Sequence, residues 1–208
     1  MLRPNLPEGN HKINPLKKIY TLDEFSYLDS IEASPLFQKQ AELIMEHGYK
    51  NIVDVGCRTG IINNILTEAR YEYLYMGFDT SPEPIKWARQ RWNEYKNIEY
   101  RVADWNDEKS IQVDYDVDCV VFSGVLLYVP DRHFKLFDRL CLDIYNTEGA
   151  IIQDLRSDQK HVDNRIEFKY IDKEFDVYEQ KYGQVTKYNI DCDFYYGNRI
   201  VLDVKIYG

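Results

Sequence analysis

Three aspartates, Asp54, Asp79 and Asp104, stand at the ends of short apolar runs, in "NIVDV", "YLYMGFD" and "IEYRVAD". Runs of this kind read as strands buried on both faces, and an open sheet binds ligands at the carboxyl ends of its strands. A carboxylate there can accept hydrogen bonds from a diol and attract a cation, whereas it repels a diphosphate. Asp54 leads directly into a glycine turn, "DVGCRTG", which brings backbone close to a nucleotide-like ligand. Two phosphate-binding readings of that turn fail. A phosphate cradle needs Lys and then Ser or Thr after its last glycine, and Ile61 and Ile62 follow Gly60. A dinucleotide fingerprint counted from Gly56 needs glycines at the places that Arg58 and Ile61 hold.

The elements that must carry these residues alternate. Pro4, Pro7, Gly9 and Pro15 make residues 1–18 an irregular lead-in. A helix is expected over "SPLFQKQAELIMEHGY", with Ser34 as its cap, Phe37, Ala41, Ile44 and Met45 on one face, and Gly48 at its end. The strand "NIVDV" precedes helical spacing at Ile61, Ile62, Ile65, Leu66 and Ala69. "YLYMGFD" precedes a helix opened by Ser81 and Pro82, with Ile85, Ala88, Trp92 and Tyr95 as its apolar stripe. "IEYRVAD" and "DCVVFSG" are the third and fourth strands. A helix capped by Asp131 carries Phe134, Phe137, Leu140, Cys141 and Ile144, and "GAIIQDL" is the fifth strand. Past a helix around "KEFDVYEQKYG", two extended segments separated by Gly197 and Asn198 require an antiparallel hairpin, since a parallel crossover is far longer. The expectation is an α/β three-layer sandwich around a seven-stranded, mostly parallel sheet with an antiparallel C-terminal hairpin. Its organisation would be one domain, with residues 1–48 as a cap and 49–208 as the core.

With 208 residues, 44% of them hydrophobic, the chain can bury a full core. Its net charge of -9 argues against general nucleic-acid binding, which depends on Lys and Arg neutralising phosphates. Cys57, Cys119, Cys141 and Cys192 lack paired spacing, and no Cys/His cluster has metal-ligand spacing. No apolar run reaches membrane-spanning length, so the reading is a cytoplasmic protein with reduced thiols, a monomer or homodimer.

"DVGCRTG", "GFDTS" and "VADW" together resemble the motifs of class I S-adenosylmethionine-dependent methyltransferases, whose first motif is an acidic residue followed by G-x-G-x-G. The resemblance runs over residues 51–208 and implies a Rossmann-like fold with S-adenosyl-L-methionine as cofactor. It implies that Gly56 and Gly60 bring backbone to the donor and that Asp54 stands near its ammonium. Asp79, with Thr80 beside it, would accept from both ribose hydroxyls. Asp104 would read the adenine amino group beside Trp105, and Ser123 would line the methionine side. Arg58 departs from the family's middle glycine. Either it turns outward over the pocket mouth toward the donor carboxylate or Asp154, or it points to solvent at a turn that needs no positive φ.

The methyl acceptor is expected to be a small molecule. "SGVLLYVPD" resembles the corresponding loop of small-metabolite methyltransferases, and the motifs of amino-group and cytosine C5 nucleic-acid enzymes are absent from it. Tyr128 in that loop could face the acceptor. Beyond the fifth strand, Arg156 could orient an anionic acceptor, and His161 could serve as general base near neutral pH. A donor-binding or silent relative acting through a protein partner, and a NAD-binding oxidoreductase, stay open as alternatives.

Overall fold

Ile52 and Val53, adjacent in the first strand, face opposite apolar layers, and this alternation repeats across the sheet. The computed structural model describes residues 34–105, 107–126, 133–155, 175–190 and 199–206. Seven strands, β1 (Asn51–Val55), β2 (Leu74–Asp79), β3 (Ile98–Val102), β4 (Cys119–Ser123), β5 (Gly149–Leu155), β6 (Val185–Ile190) and β7 (Arg199–Lys205), form one sheet in the order β3-β2-β1-β4-β5-β7-β6. The pairs from β3 through to β5 are parallel. β7 lies antiparallel between β5 and β6, as the expected hairpin requires.

One face of the sheet carries α1 (Ser34–His47), α2 (Ile61–Glu68) and α3 (Pro82–Arg91). Leu36, Phe37, Ala41, Leu43 and Ile44 bury the inner side of α1, and Gly48 ends it with φ 73°. Gln40, fully buried on that same side, has no counterpart in the expected apolar stripe. On α3, Ile85, Ala88 and Trp92 at its end are buried, while Tyr95 is exposed.

The opposite face carries α4 (Glu108–Ile111), α5 (His133–Asp138) and α6 (Phe175–Tyr182). Phe137 of α5 packs against Tyr178 and Tyr182 of α6 with ring centroids 5.5 and 4.4 Å apart. α5 widens into a π-helical turn over Arg139–Ile144, closed by the Tyr145 amide donating to the Leu140 carbonyl at 3.0 Å. The short helix α4 was not legible in the sequence, since four residues are too few to show a period. Among the described residues, no helix is long and apolar enough to cross a membrane.

Candidate functional site

β1 is flanked by β2 on one side and β4 on the other, so the chain reverses its order of strand placement there. In doubly wound sheets a crevice opens at this reversal, beyond the carboxyl ends of the strands. The turn Gly56 to Gly60 leaves β1 at that point, where the amides of Gly56 and Cys57 both donate to the Phe78 carbonyl, at 2.7 and 2.9 Å.

The glycines are required by conformation and by their neighbours. Gly56 and Gly60 have φ of 73° and 81°. A Cβ at Gly56 would fall on the Val125 side chain, and one at Gly60 on the Tyr100 hydroxyl. Arg58 shares this left-handed backbone, with φ 51°, at a cost of about 1 kcal/mol for a residue with a side chain. Arg58 is buried, only 7% exposed, so the solvent-pointing alternative expected from the sequence is corrected, and the turn does need a positive φ.

In this conformation the Arg58 amide donates to Asp79 Oδ2 at 3.1 Å, and the Ser81 amide donates to Asp79 Oδ1 at 2.8 Å. Each carboxylate oxygen is thus held by one backbone donor, and the Ser81 side chain adds a further hydrogen bond to the carboxylate. Burial pushes the Asp79 pKa up, and the two amides and the Arg58 charge oppose that rise. Asp79 borders a narrow cleft, with free space for little more than a water molecule, lined by Val55, Gly56, Phe78, Ala103, Trp105, Ile111 and Leu140. Leu140 reaches it from the π-helical turn. Asp104 is exposed just past β3, and its carbonyl accepts from the Asp107 amide and the Ser110 hydroxyl, at 2.8 and 3.0 Å, where α4 begins.

The remaining predicted residues divide. Asp54 and Ser123 face the α1–α3 layer rather than the cleft. Asp54 is 2% exposed, and its Oδ2 accepts from the Tyr75 hydroxyl at 2.6 Å. Its Oδ1 is buried with no hydrogen-bond partner among the described residues. Burial pushes the Asp54 carboxyl up to about 7, the Tyr75 hydrogen bond lowering it and the Asp79 charge adding to the rise. The Ser123 hydroxyl pairs reciprocally with the buried Gln40 amide, 3.1 Å from Nε2 and 3.3 Å from Oε1. Thr80, half-buried, follows Asp79. Tyr128, Arg156 and His161 lie outside the described residues, as does the Asp154 side chain.

Tyr75, Gln40 and Val125 were missed as parts of the site. In sequence each reads as packing or helix surface, and only strand register and helix docking bring them to Asp54, Ser123 and Gly56. Tyr75 offered one signal, its place on the alternating "YEYLY" run beside the strand bearing Asp54.

A family profile described as "Methyltransferase domain" matches residues 46–165. Trans-aconitate 2-methyltransferase of Rhodopseudomonas palustris (strain BisB5) is 31% identical over 102 residues, which cover 49% of this chain and 37% of that protein. A malonyl-[acyl-carrier protein] O-methyltransferase of Acetivibrio thermocellus is 29% identical over 108 residues, 52% of this chain and 32% of that protein. The matched stretch therefore spans about a third of the length of these curated relatives. Among solved structures, the N-methyltransferase NodS of Bradyrhizobium japonicum WM9 with S-adenosyl-l-homocysteine superposes with a TM-score of 0.71. That pairing is 13% identical and covers 93% of this chain and 95% of NodS. Magnesium protoporphyrin IX methyltransferase of Synechocystis PCC 6803 with bound SAM gives 0.63 at 14% identity, over 85% and 81% of the two chains. The profile match over more than half of the chain agrees with the strand order and with the acidic, glycine-turned end of β1: the chain belongs to the methyltransferase domain family, of the class I, S-adenosylmethionine-dependent type.

Proposed function

We propose that this protein transfers a methyl group from S-adenosylmethionine to an oxygen, nitrogen or carboxylate of a small-molecule acceptor by direct in-line displacement. The observation that carries the reading is Asp79, oriented by the Arg58 and Ser81 amides beside an apolar cleft at the carboxyl end of β2. The residues present fit the donor. Val55, Phe78, Ala103, Ile111 and Leu140 offer an apolar wall to a purine beside Trp105, and Asp79 offers a pair of acceptors to a ribose diol. Asp54, at the start of the glycine turn, offers a buried oxygen that has no hydrogen-bond partner among the described residues.

When bound, S-adenosylmethionine supplies a methyl group already activated on a sulfonium. What the chain then contributes is orientation of the acceptor and exclusion of water, and Tyr128, Arg156 and His161 are proposed for holding the acceptor or taking its proton. The acceptors named for the sequence relatives, trans-aconitate and a malonyl group, are acids, which supports testing carboxylates first.

The test is a titration with S-adenosylhomocysteine followed by mass-spectrometric detection of methyl transfer across carboxylic acids, amines and phenols. Saturable binding and one added methyl group on a member of the panel are expected. Absence of saturable binding at millimolar ligand would overturn the reading.

A further inference from the structure

Asp54 and Tyr75 form a buried pair that donor geometry alone does not require. β1 and β2 pair with Asp54 opposite Gly77. The space over Gly77, which has no side chain, is filled by the Cys57 thiol and the Tyr100 ring, and Tyr75, the next inward residue of β2, reaches the carboxylate with its hydroxyl. Tyr75 is 1% exposed, and burial raises its pKa well above the usual phenol value, so it remains a proton donor over the accessible pH range. One carboxylate oxygen is satisfied by that phenol, and the other is buried without a partner among the described residues. An orphaned buried oxygen beside the glycine turn is an incomplete site for a charged hydrogen-bond donor.

The other titratable groups around the carboxyl are Cys57 in the turn, Tyr100 from β3, Cys119 from β4 and Asp79 at the end of β2, with the Arg58 charge acting on Asp79. Burial keeps both thiols and Tyr100 in their neutral forms, and Asp79 repels a charge on Asp54. α1 and α2 turn the neutral, fully buried Gln40 and Asn63 toward this layer. Among these groups Arg58 is the one cation, and its charge acts on Asp79.

We propose that Tyr75 is a positioning residue that holds Asp54 as a proton-linked receptor for the α-ammonium of the donor. This rests on the reading that the chain binds S-adenosylmethionine. Without ligand the buried carboxyl holds its proton up to about pH 7. Arrival of the ammonium favours the carboxylate, the proton leaves to solvent, and the Oδ1 left unpaired becomes the acceptor. The Tyr75 hydrogen bond lowers the cost of that ionisation and fixes which oxygen faces the ligand.

The test is calorimetry in two buffers of different ionisation enthalpy between pH 6 and 8, using S-adenosylhomocysteine and 5′-methylthioadenosine, which lacks the amino acid. Wild-type protein should release more proton with the first ligand than with the second, and its affinity for S-adenosylhomocysteine should be about tenfold weaker at pH 6 than at pH 8. Tyr75→Phe should move that rise in affinity to higher pH and leave the methylthioadenosine profile in place. If this variant does not fold, the wild-type proton count decides alone. Equal proton release by the two ligands, or an unmoved pH profile in a folded Tyr75→Phe, overturns the proposal while leaving the donor reading intact. Failure of S-adenosylhomocysteine to bind at any pH overturns both.

Discussion

At the scale of single residues, Asp79 is oriented by two backbone amides together with the Ser81 side chain. Two amides, those of Arg58 and Ser81, are donors that no substitution short of proline removes. Asp79→Asn keeps the shape but turns an NH₂ group toward one of these amides and discards the charge. We expect S-adenosylhomocysteine affinity to fall by about 10- to 100-fold, measured by calorimetry, with unchanged circular dichroism. Gly60 answers to a different constraint. Because a Cβ there meets the Tyr100 hydroxyl at a φ of 81°, Gly60→Ala should cost about 2 kcal/mol in urea unfolding. Adding Tyr100→Phe should restore part of that loss by removing the overlapping oxygen.

At the scale of elements, α1 is tied to the sheet at both ends of the strands. At its middle Gln40 meets Ser123 at the carboxyl end of β4. At its end His47 Nε2 lies 2.7 Å from Asp203 Oδ2 on β7, and the other Asp203 oxygen has no partner among the described residues. His47→Ala would leave a 4% exposed carboxylate without its donor and should cost about 2 kcal/mol, read from denaturant melts. The π-helical turn after α5 has an equally local consequence. Its extra residue lets Leu140 reach the cleft wall, whereas the same sequence reads as an unbroken apolar stripe. Sequence periodicity found this helix and its buried face, but a change from 3.6 residues per turn inside one element leaves no mark in the order of apolar residues.

At the scale of the whole molecule, a buried carboxyl with a raised pKa makes stability depend on pH. The folded state holds the Asp54 proton up to about 7, whereas the unfolded chain releases it near the model-compound value of 3.8. Between those values the native state binds more protons, so this group's contribution to ligand-free stability falls as pH rises, and the loss is complete above the folded pKa. Asp54→Asn, which carries no charge to bury, should therefore gain stability relative to wild type at pH 8 more than at pH 5, compared by urea melts at the two values. The sequence by itself determined the alternation of strands and helices, the terminal hairpin and the aspartates at strand ends, because apolar period and turn chemistry are local properties of the chain. It also excluded phosphate ligands, since the glycine turn lacks the residues they need. Only the tertiary structure decided that Arg58 is buried in a left-handed turn, that Asp54 and Ser123 face α1–α3 while Asp79 and Trp105 border the cleft, and that Tyr75 holds Asp54. Those outcomes depend on strand register and helix docking, which bring together side chains 21 and 83 positions apart, a separation at which neither periodicity nor motif spacing carries information.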